Sequence, residues 1–357
     1  MEKTPLRIAI LASPSRRVGP NSDLVRLLRA LEPVFREVLR PSLLVTDGVR
    51  RVLQVHNILA DYEAVEPLPP AEEGAMATIA ARIVTNNEQR AVDWVIYLTD
   101  PADPISLHPE SLAIKRQCVV HGKPYLGTLR AAAEFCTLEA LARDPAKVRP
   151  LLMPVEALPQ IEQPGGRLLG LVAHDSRKGT MLDFAARHFT MLDRFRQRVS
   201  TGTTGELLNG TLPARLKAGW QAEADEAMVR ERLSLPLGIL ADKLADRAEI
   251  EKGVALMQGK LAGRAGEWTH PFKSGPKGGD AEIAELILER PGATVIFFED
   301  PHVAREHEAD IQLLERAARL DGAANLCFHH AVTAERWAVL MEAALEAGDV
   351  PVLRALV

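Results

Sequence analysis

Two stretches of this chain, 200 residues apart, carry nearly the same pattern. Trp94-Val95-Ile96-Tyr97-Leu98-Thr99-Asp100-Pro101 and Thr294-Val295-Ile296-Phe297-Phe298-Glu299-Asp300-Pro301 are each a strand-like apolar run that ends in a polar residue and Asp-Pro. Other blocks repeat in the same order. Ile8 to Ala12 reads as a strand, Ser13-Pro14-Ser15-Arg16-Arg17 as a polar turn, and Leu24, Leu27, Leu28 and Leu31 fall at helical spacing. In the second half Leu168 to Ala173 reads as a strand and His174-Asp175-Ser176-Arg177-Lys178 as a polar turn. Met181, Phe184, Ala185 and Phe189 then mark a helix. Leu43 to Gly48 answers Val199 to Gly202, and Gly122 falls opposite Gly322. Strands alternating with helices imply parallel sheets joined by right-handed crossovers. The expectation is two tandem α/β units from a duplication, divided near Pro150 and Pro154 into 1–150 and 151–357.

A chain of 357 residues is long enough for two such cores. Its 25% charged and 47% apolar residues are ordinary globular composition, and a net charge of −5 gives no reason to expect nucleic acid or an anionic membrane as partner. Three scattered cysteines, Cys118, Cys136 and Cys327, argue against a disulfide framework and fit a reducing compartment. The apolar run Ile8 to Ala12 is too short for a signal peptide, and no run approaches the ~20 residues needed to span a bilayer. A cytoplasmic protein is expected.

The halves differ. Between Gly205 and Ser274 the second half carries a long segment of apolar residues interleaved with charges, read as a helical insertion at about 211–262. An insertion of this kind serves packing, oligomerisation or a lid.

The polar residues with chemical potential gather at the predicted strand ends of the second half, where open α/β sheets place ligands. Thr201-Gly202-Thr203-Thr204-Gly205 lies between a strand and a helix expected to begin near Glu206, where hydroxyls and first-turn amides can cradle phosphate. Lys178 offers a point charge suited to the same group. Ser274-Gly275-Pro276-Lys277-Gly278-Gly279-Asp280 is a glycine-rich turn that brings backbone N–H groups to an anion and sets one carboxylate beside it. His174 follows one strand; Asp300, His307 and Asp310 follow another. The histidines and cysteines show no zinc-type spacing, so nothing in the sequence calls for a metal.

In combination and order, these blocks resemble methylglyoxal synthase over about residues 165–345. The sequence departs from the family pattern at Glu299, where tryptophan or a similar residue is usual, at Glu308-Ala309, where Asp-Pro is common, and in the insertion. The resemblance implies flavodoxin-like units. It also implies a carbon–oxygen lyase that converts dihydroxyacetone phosphate to methylglyoxal and inorganic phosphate without a cofactor, working as a homo-oligomer. It makes Asp280 the base and His307 the group that polarises the carbonyl, with Asp300 and Asp310 completing the catalytic set. It places His174, Lys178, Thr201, Gly202, Thr203, Thr204, Ser274 and Gly275 around the substrate and its phosphate, and product phosphate is an expected inhibitor. The alternative is a non-catalytic regulatory module that binds a small phosphorylated effector.

Aligned by strand ends, the first half puts Ser13 at His174, Arg17 at Lys178, Val49 at Thr203 and Arg50 at Thr204. Met76 falls near Asp280, and Leu107 and Glu110 stand opposite His307 and Asp310. A degenerate, non-catalytic unit is expected there, serving either as an effector site or as structure.

Overall fold

A computed structural model describes residues 5–70, 73–104, 108–159, 163–210, 267–290, 292–302, 308–322 and 324–356, with the backbone alone at 164 and 308–310. The expected insertion at 211–262 lies outside them.

The first unit contains β1 (Arg7–Ala12), β2 (Ser42–Val45), β3 (Val65–Pro67), β4 (Trp94–Leu98) and β5 (Tyr125–Leu126). Its helices are α1 (Pro14–Arg17), α2 (Asp23–Val34), α3 (Asp47–Val55), α4 (Ala75–Val84), α5 (Pro109–Val120) and α6 (Leu129–Arg143). After a short α7 (Pro145–Val148), the second unit contains β6 (Leu168–Ala173), β7 (Gln197–Ser200), β8 (His270–Pro271), β9 (Ala293–Phe298) and β10 (Leu326–Phe328). Its helices are α8 (Lys178–Arg187), α9 (Phe189–Leu192), α10 over residues 202–210, α11 (Gly279–Glu289), α12 (Glu308–Leu320) and α13 (Ala331–Glu346).

Each unit is a five-stranded parallel sheet, in the order β3-β2-β1-β4-β5 in the first and β10-β9-β6-β7-β8 in the second. Taken in chain order within each unit, the two orders are the same, and both reverse between the first and fourth strands. That reversal opens a crevice at the strand ends, the usual ligand position in doubly wound sheets. The central strands β1, β4, β6 and β9 are buried nearly throughout, which explains their uninterrupted apolar sequence.

In each unit two helices cover the outer face: α4 and α5 in the first, α11 and α12 in the second. The other faces share one core, to which α2, α3 and α6 contribute from the first unit and α8 and α13 from the second. The contacts across this core are reciprocal, as in an isologous dimer. Arg130 N–H donates to the Gly322 carbonyl, while a Cβ on the equivalent Gly122 would stand 3.5 Å from the His330 ring. Glu134 lies fully buried at the centre. It accepts from Arg167 Nη1 at 3.0 Å, from Arg130 Nε at 3.1 Å and from Trp337 Nε1 at 2.9 Å. Burial alone would raise its carboxyl; Arg167 and Arg130 outweigh that and leave it below the usual range. Leu152 bridges to Leu353, and Arg26 donates to the Leu356 carbonyl, so the end of the second unit folds back over the first.

Candidate functional site

His174 and Asp300 follow β6 and β9, the neighbouring strands on either side of the second unit's switch point. The backbone N–H of Asp300 donates to His174 Nδ1 at 2.7 Å. A backbone amide can only donate, so Nδ1 accepts with its lone pair and the ring hydrogen resides on Nε2. The ring also stacks edge-on against Phe297. The Asp300 carboxylate accepts from Ser176 Oγ at 2.5 Å and from the His302 N–H at 3.0 Å. The Ser176 hydroxyl, then the His302 amide, hold its carboxyl below the ordinary value.

The first unit repeats this arrangement without the histidine. Asp100 N–H donates to Ser13 Oγ at 3.1 Å, the Ser15 hydroxyl bonds the Asp100 carboxylate, and Ala102 N–H donates to Asp100 Oδ1 at 2.9 Å. The aspartate therefore ties the loop after the fourth strand to the loop after the first in both units. Ser176 was not singled out in the sequence, although its spacing from His174 matches that of Ser15 from Ser13.

The threonine-rich run departs from expectation. Helix α10 starts at Gly202 and not near Glu206, so the run forms the first turn itself. Thr201 is the capping residue: its carbonyl accepts from the Gly205 N–H at 2.9 Å and its hydroxyl donates to Thr204 Oγ1 at 3.2 Å. Thr201 and Thr204 are buried, and Thr203 is exposed. Sheet register also corrects the alignment of the halves. Ile10 pairs with Val45 and Leu171 with Ser200, so Gly48 and Val49, not Val49 and Arg50, stand at Thr203 and Thr204.

The glycine-rich turn is built by close approach. Gly202 N–H donates to the Lys273 carbonyl at 2.9 Å. A Cβ on Gly202 would stand 2.7 Å from the Phe272 carbonyl oxygen, and one on Gly279 would stand 1.8 Å from that of Lys273. The segment from Phe272 to Ser274 is thus held between the amino ends of α10 and α11. Ser274 carbonyl accepts from Lys277 and Gly279 N–H. Gly278, at φ 94°, turns the chain into α11 with a left-handed conformation that favours glycine. Glu282 fastens the loop from outside by accepting from the Lys273 N–H at 3.0 Å. Asp280 follows in the first turn of α11 and is 1% exposed. The amide groups of a helix start favour a negative charge at that place.

Lys178 begins α8 and pairs with exposed Asp175 at 2.5 Å, a surface pair that a stronger anion can replace. Gly275 is buried at the start of the 3₁₀ turn. His307 and the side chain of Asp310 lie outside the described residues.

A buried ionic cluster between the units went unread in the sequence. Lys115 Nζ donates to Glu299 Oε1 at 2.9 Å and also to Glu315; His329 Nδ1 lies 3.1 Å from Glu299 and 3.3 Å from Glu315. Glu299, Glu315 and His329 lie close enough to share a cation, and the Lys115 ammonium holds both carboxylates. No spacing signal exists because its members come from α5, the end of β9, α12 and the end of β10.

No known protein-family model matches the chain. Among curated proteins it is similar to methylglyoxal synthases. It is 30% identical to that of Maridesulfovibrio salexigens over 43% of this chain and 71% of the relative. It is 28% identical to that of Treponema socranskii over 47% and 78%, and 28% identical to that of Agrobacterium fabrum over 43% and 80%. A solved methylglyoxal synthase from Elizabethkingia anophelis matches 50% of this chain and 80% of its own at 22% identity, with a TM-score of 0.29. The fold assignment rests on the sheet topology described above. That topology defines an α/β protein of two doubly wound parallel-sheet units with polar residues gathered at their strand ends. The chain belongs to the methylglyoxal synthase family.

Proposed function

We propose that the second unit, residues 151–357, is a methylglyoxal synthase acting on dihydroxyacetone phosphate, and that residues 1–150 are a degenerate copy without lyase activity. The observation that carries the reading is Asp280, a buried carboxylate at the amino end of α11 beside the Lys273–Ser274 loop. Dihydroxyacetone phosphate has a weakly acidic proton α to its carbonyl. Asp280 removes it, and His307, by resemblance, donates to the enediolate oxygen that forms. The enediolate then expels phosphate: the bond from carbon to the bridging oxygen breaks, the electron pair leaves with phosphate, and the remaining enol tautomerises to methylglyoxal.

Lys178, the first turn of α10 with Thr201, Gly202, Thr203 and Thr204, and Ser274 with Gly275 form the phosphate cradle in this reading. Two helix amino ends beside one loop support it, because such ends favour anions. The His174 Nε2–H is the ring's donor for the substrate. Asp300 holds His174, and Asp310 serves the first turn of α12. Product phosphate, carrying the group the cradle receives, inhibits. A homo-oligomer in the cytoplasm completes the reading. The test is incubation of the purified chain with dihydroxyacetone phosphate, following methylglyoxal and phosphate together, beside Asp280→Asn. Turnover is expected to fall ~10²–10⁴-fold or more in the variant; near-wild-type turnover overturns the assignment.

A further inference from the structure

The first unit holds a cavity of about 630 Å³ at its own switch point, lined among others by Ser13, Arg17, Gly48, Met76, Tyr97 and Ser111. A volume in this range suits a small metabolite and exceeds what a triose phosphate fills.

Its polar equipment points to an anion. Arg17 is half-buried, and its one polar contact among the described residues is a 3.5 Å donation from Nη1 to the Ala12 carbonyl. The nearby carboxylate of Asp47 is engaged elsewhere, by Arg50 at 2.9 Å and Arg51 at 2.6 Å. Two carboxylates, Asp47 and Glu110, also line the cavity, but neither pairs with Arg17 among the described residues, and a guanidinium with five donors placed so is suited to a planar or tetrahedral oxyanion. Its position is set by the backbone. The guanidinium lies over the first turn of α3 so closely that a Cβ on Gly48 would stand 1.9 Å from Nη1. Arg17 and the amino end of a nine-residue helix therefore face the same space. The Tyr97 and Ser111 hydroxyls, which bond each other at 2.9 Å, also line this space. Met76 adds an apolar wall.

The positions that carry Asp280 and His174 in the second unit hold no acid–base group in the first, although His108 and Glu110 also line the cavity. Helices α4 and α11 both begin after a glycine in left-handed conformation, Gly74 at φ 92° and Gly278 at φ 94°. That equivalence sets Met76 where the second unit has Asp280, and Ser13 stands where it has His174.

We propose that this cavity binds a phosphorylated metabolite larger than a triose phosphate without transforming it, with Arg17 and the first turn of α3 on the phosphate and the Tyr97–Ser111 pair on its polar body. The site stands on its own geometry and is independent of whether the second unit is a lyase.

Calorimetric titration of the full chain with ribose 5-phosphate tests it, in wild type and in the variants Arg17→Ala, Gly48→Ala and Lys178→Ala. Arg17→Ala is expected to weaken binding roughly tenfold to a hundredfold, the loss of a charged hydrogen-bond donor. Gly48→Ala, which displaces the guanidinium and leaves its charge present, is expected to weaken it in the same direction. Lys178→Ala, which touches only the other unit's cradle, is expected to leave the Arg17-dependent binding step unchanged. No binding by wild type, equal affinity in Arg17→Ala, or a loss confined to Lys178→Ala each overturns the proposal. Tighter binding of citrate than of ribose 5-phosphate overturns the choice of phosphate. Activity of the second unit is read separately through Asp280→Asn, so failure of either reading leaves the other intact.

Discussion

Lys115 and Glu315 stand at equivalent places in α5 and α12, 200 residues apart, and they form an ion pair across the boundary between the two units. Burial disfavours the Lys115 ammonium, but Glu315 and Glu299 outweigh it and raise the lysine above its ordinary value. Glu299 is held well below the usual range: burial opposes the charge, and Lys115 and His329 overcome it. An asymmetric pair of residues at positions that two copies would share is a way to favour docking of unlike units over docking of like ones.

Removing the lysine should therefore be costly. Lys115→Ala leaves two buried carboxylates facing only His329 and Arg319, and breaking a buried pair from one side costs ~3–5 kcal/mol. Chemical denaturation of the full chain is expected to show a loss near the lower end of that range, because His329 remains. A loss below ~1 kcal/mol, the range of exposed pairs, would show the cluster to be solvated.

The same cluster sets a pH dependence. Burial alone lowers His329, but Cys327, Glu315 and Glu299 raise it to about 9. A histidine raised on folding contributes stability that is complete below its unfolded value near 6.5 and is lost as pH rises through its folded value. Stability is thus expected to decline between pH 6.5 and 9, by on the order of 3 kcal/mol for a shift of this size. His188, also raised by Glu342 and Glu335 against burial, titrates in the same sense. The comparison is therefore with His329→Gln, whose decline over that window should be clearly shallower. Parallel curves for the two proteins would remove His329 from the account.

The parallel sheets were legible because buried central strands leave a period-free apolar run, as in Trp94 to Leu98 and Ala293 to Phe298, and because both runs end in the same Asp-Pro. The helix at Gly202 was misplaced for a physical reason. Threonine and glycine score as turn residues, yet Thr201 caps and Gly202 is required by the Phe272 carbonyl pressing on it. The one-residue shift at Gly48 and Val49 had the same origin: matching glycines aligned the sequences, whereas strand register aligns the capping threonines Thr46 and Thr201. The ionic cluster had no local signature. Glu299 read only as a departure from a family pattern, and its partner Lys115 comes from the other half of the chain.

Ser176 is expected to matter for the candidate site although it offers no acid–base chemistry. Its hydroxyl is the first cause of the low Asp300 carboxyl value, and Asp300 in turn presents the amide that fixes His174. Ser176→Ala should move the Asp300 titration toward that of a free carboxylate. It should also lower methylglyoxal formation ~2–10-fold, the worth of one hydrogen bond. A ¹³C carboxyl titration checks the first and steady-state kinetics the second. An unchanged titration would show that the His302 amide holds Asp300 alone.

Gly279 offers the sharpest separation of fold from function. Its missing Cβ leaves room for the Lys273 carbonyl, which would otherwise stand 1.8 Å away, and the obstacle is backbone, not a side chain that can rotate. Gly279→Ala must therefore push the Phe272–Ser274 segment off α11. That movement strains the Gly202 N–H bond to Lys273 and the Glu282 bond to the Lys273 amide. Overpacking of this kind costs ~1–3 kcal/mol, a loss that a unit with an intact β6–β9 core can absorb. Phosphate affinity and lyase turnover should fall together, because in the proposed site the loop carrying Ser274 and the helix start carrying Asp280 are pushed apart. Gly179→Ala, with nothing within 4 Å of its added Cβ, is the control and should leave both unchanged. If Gly279→Ala folds and keeps its phosphate affinity, the loop between the two helix ends is not where phosphate binds.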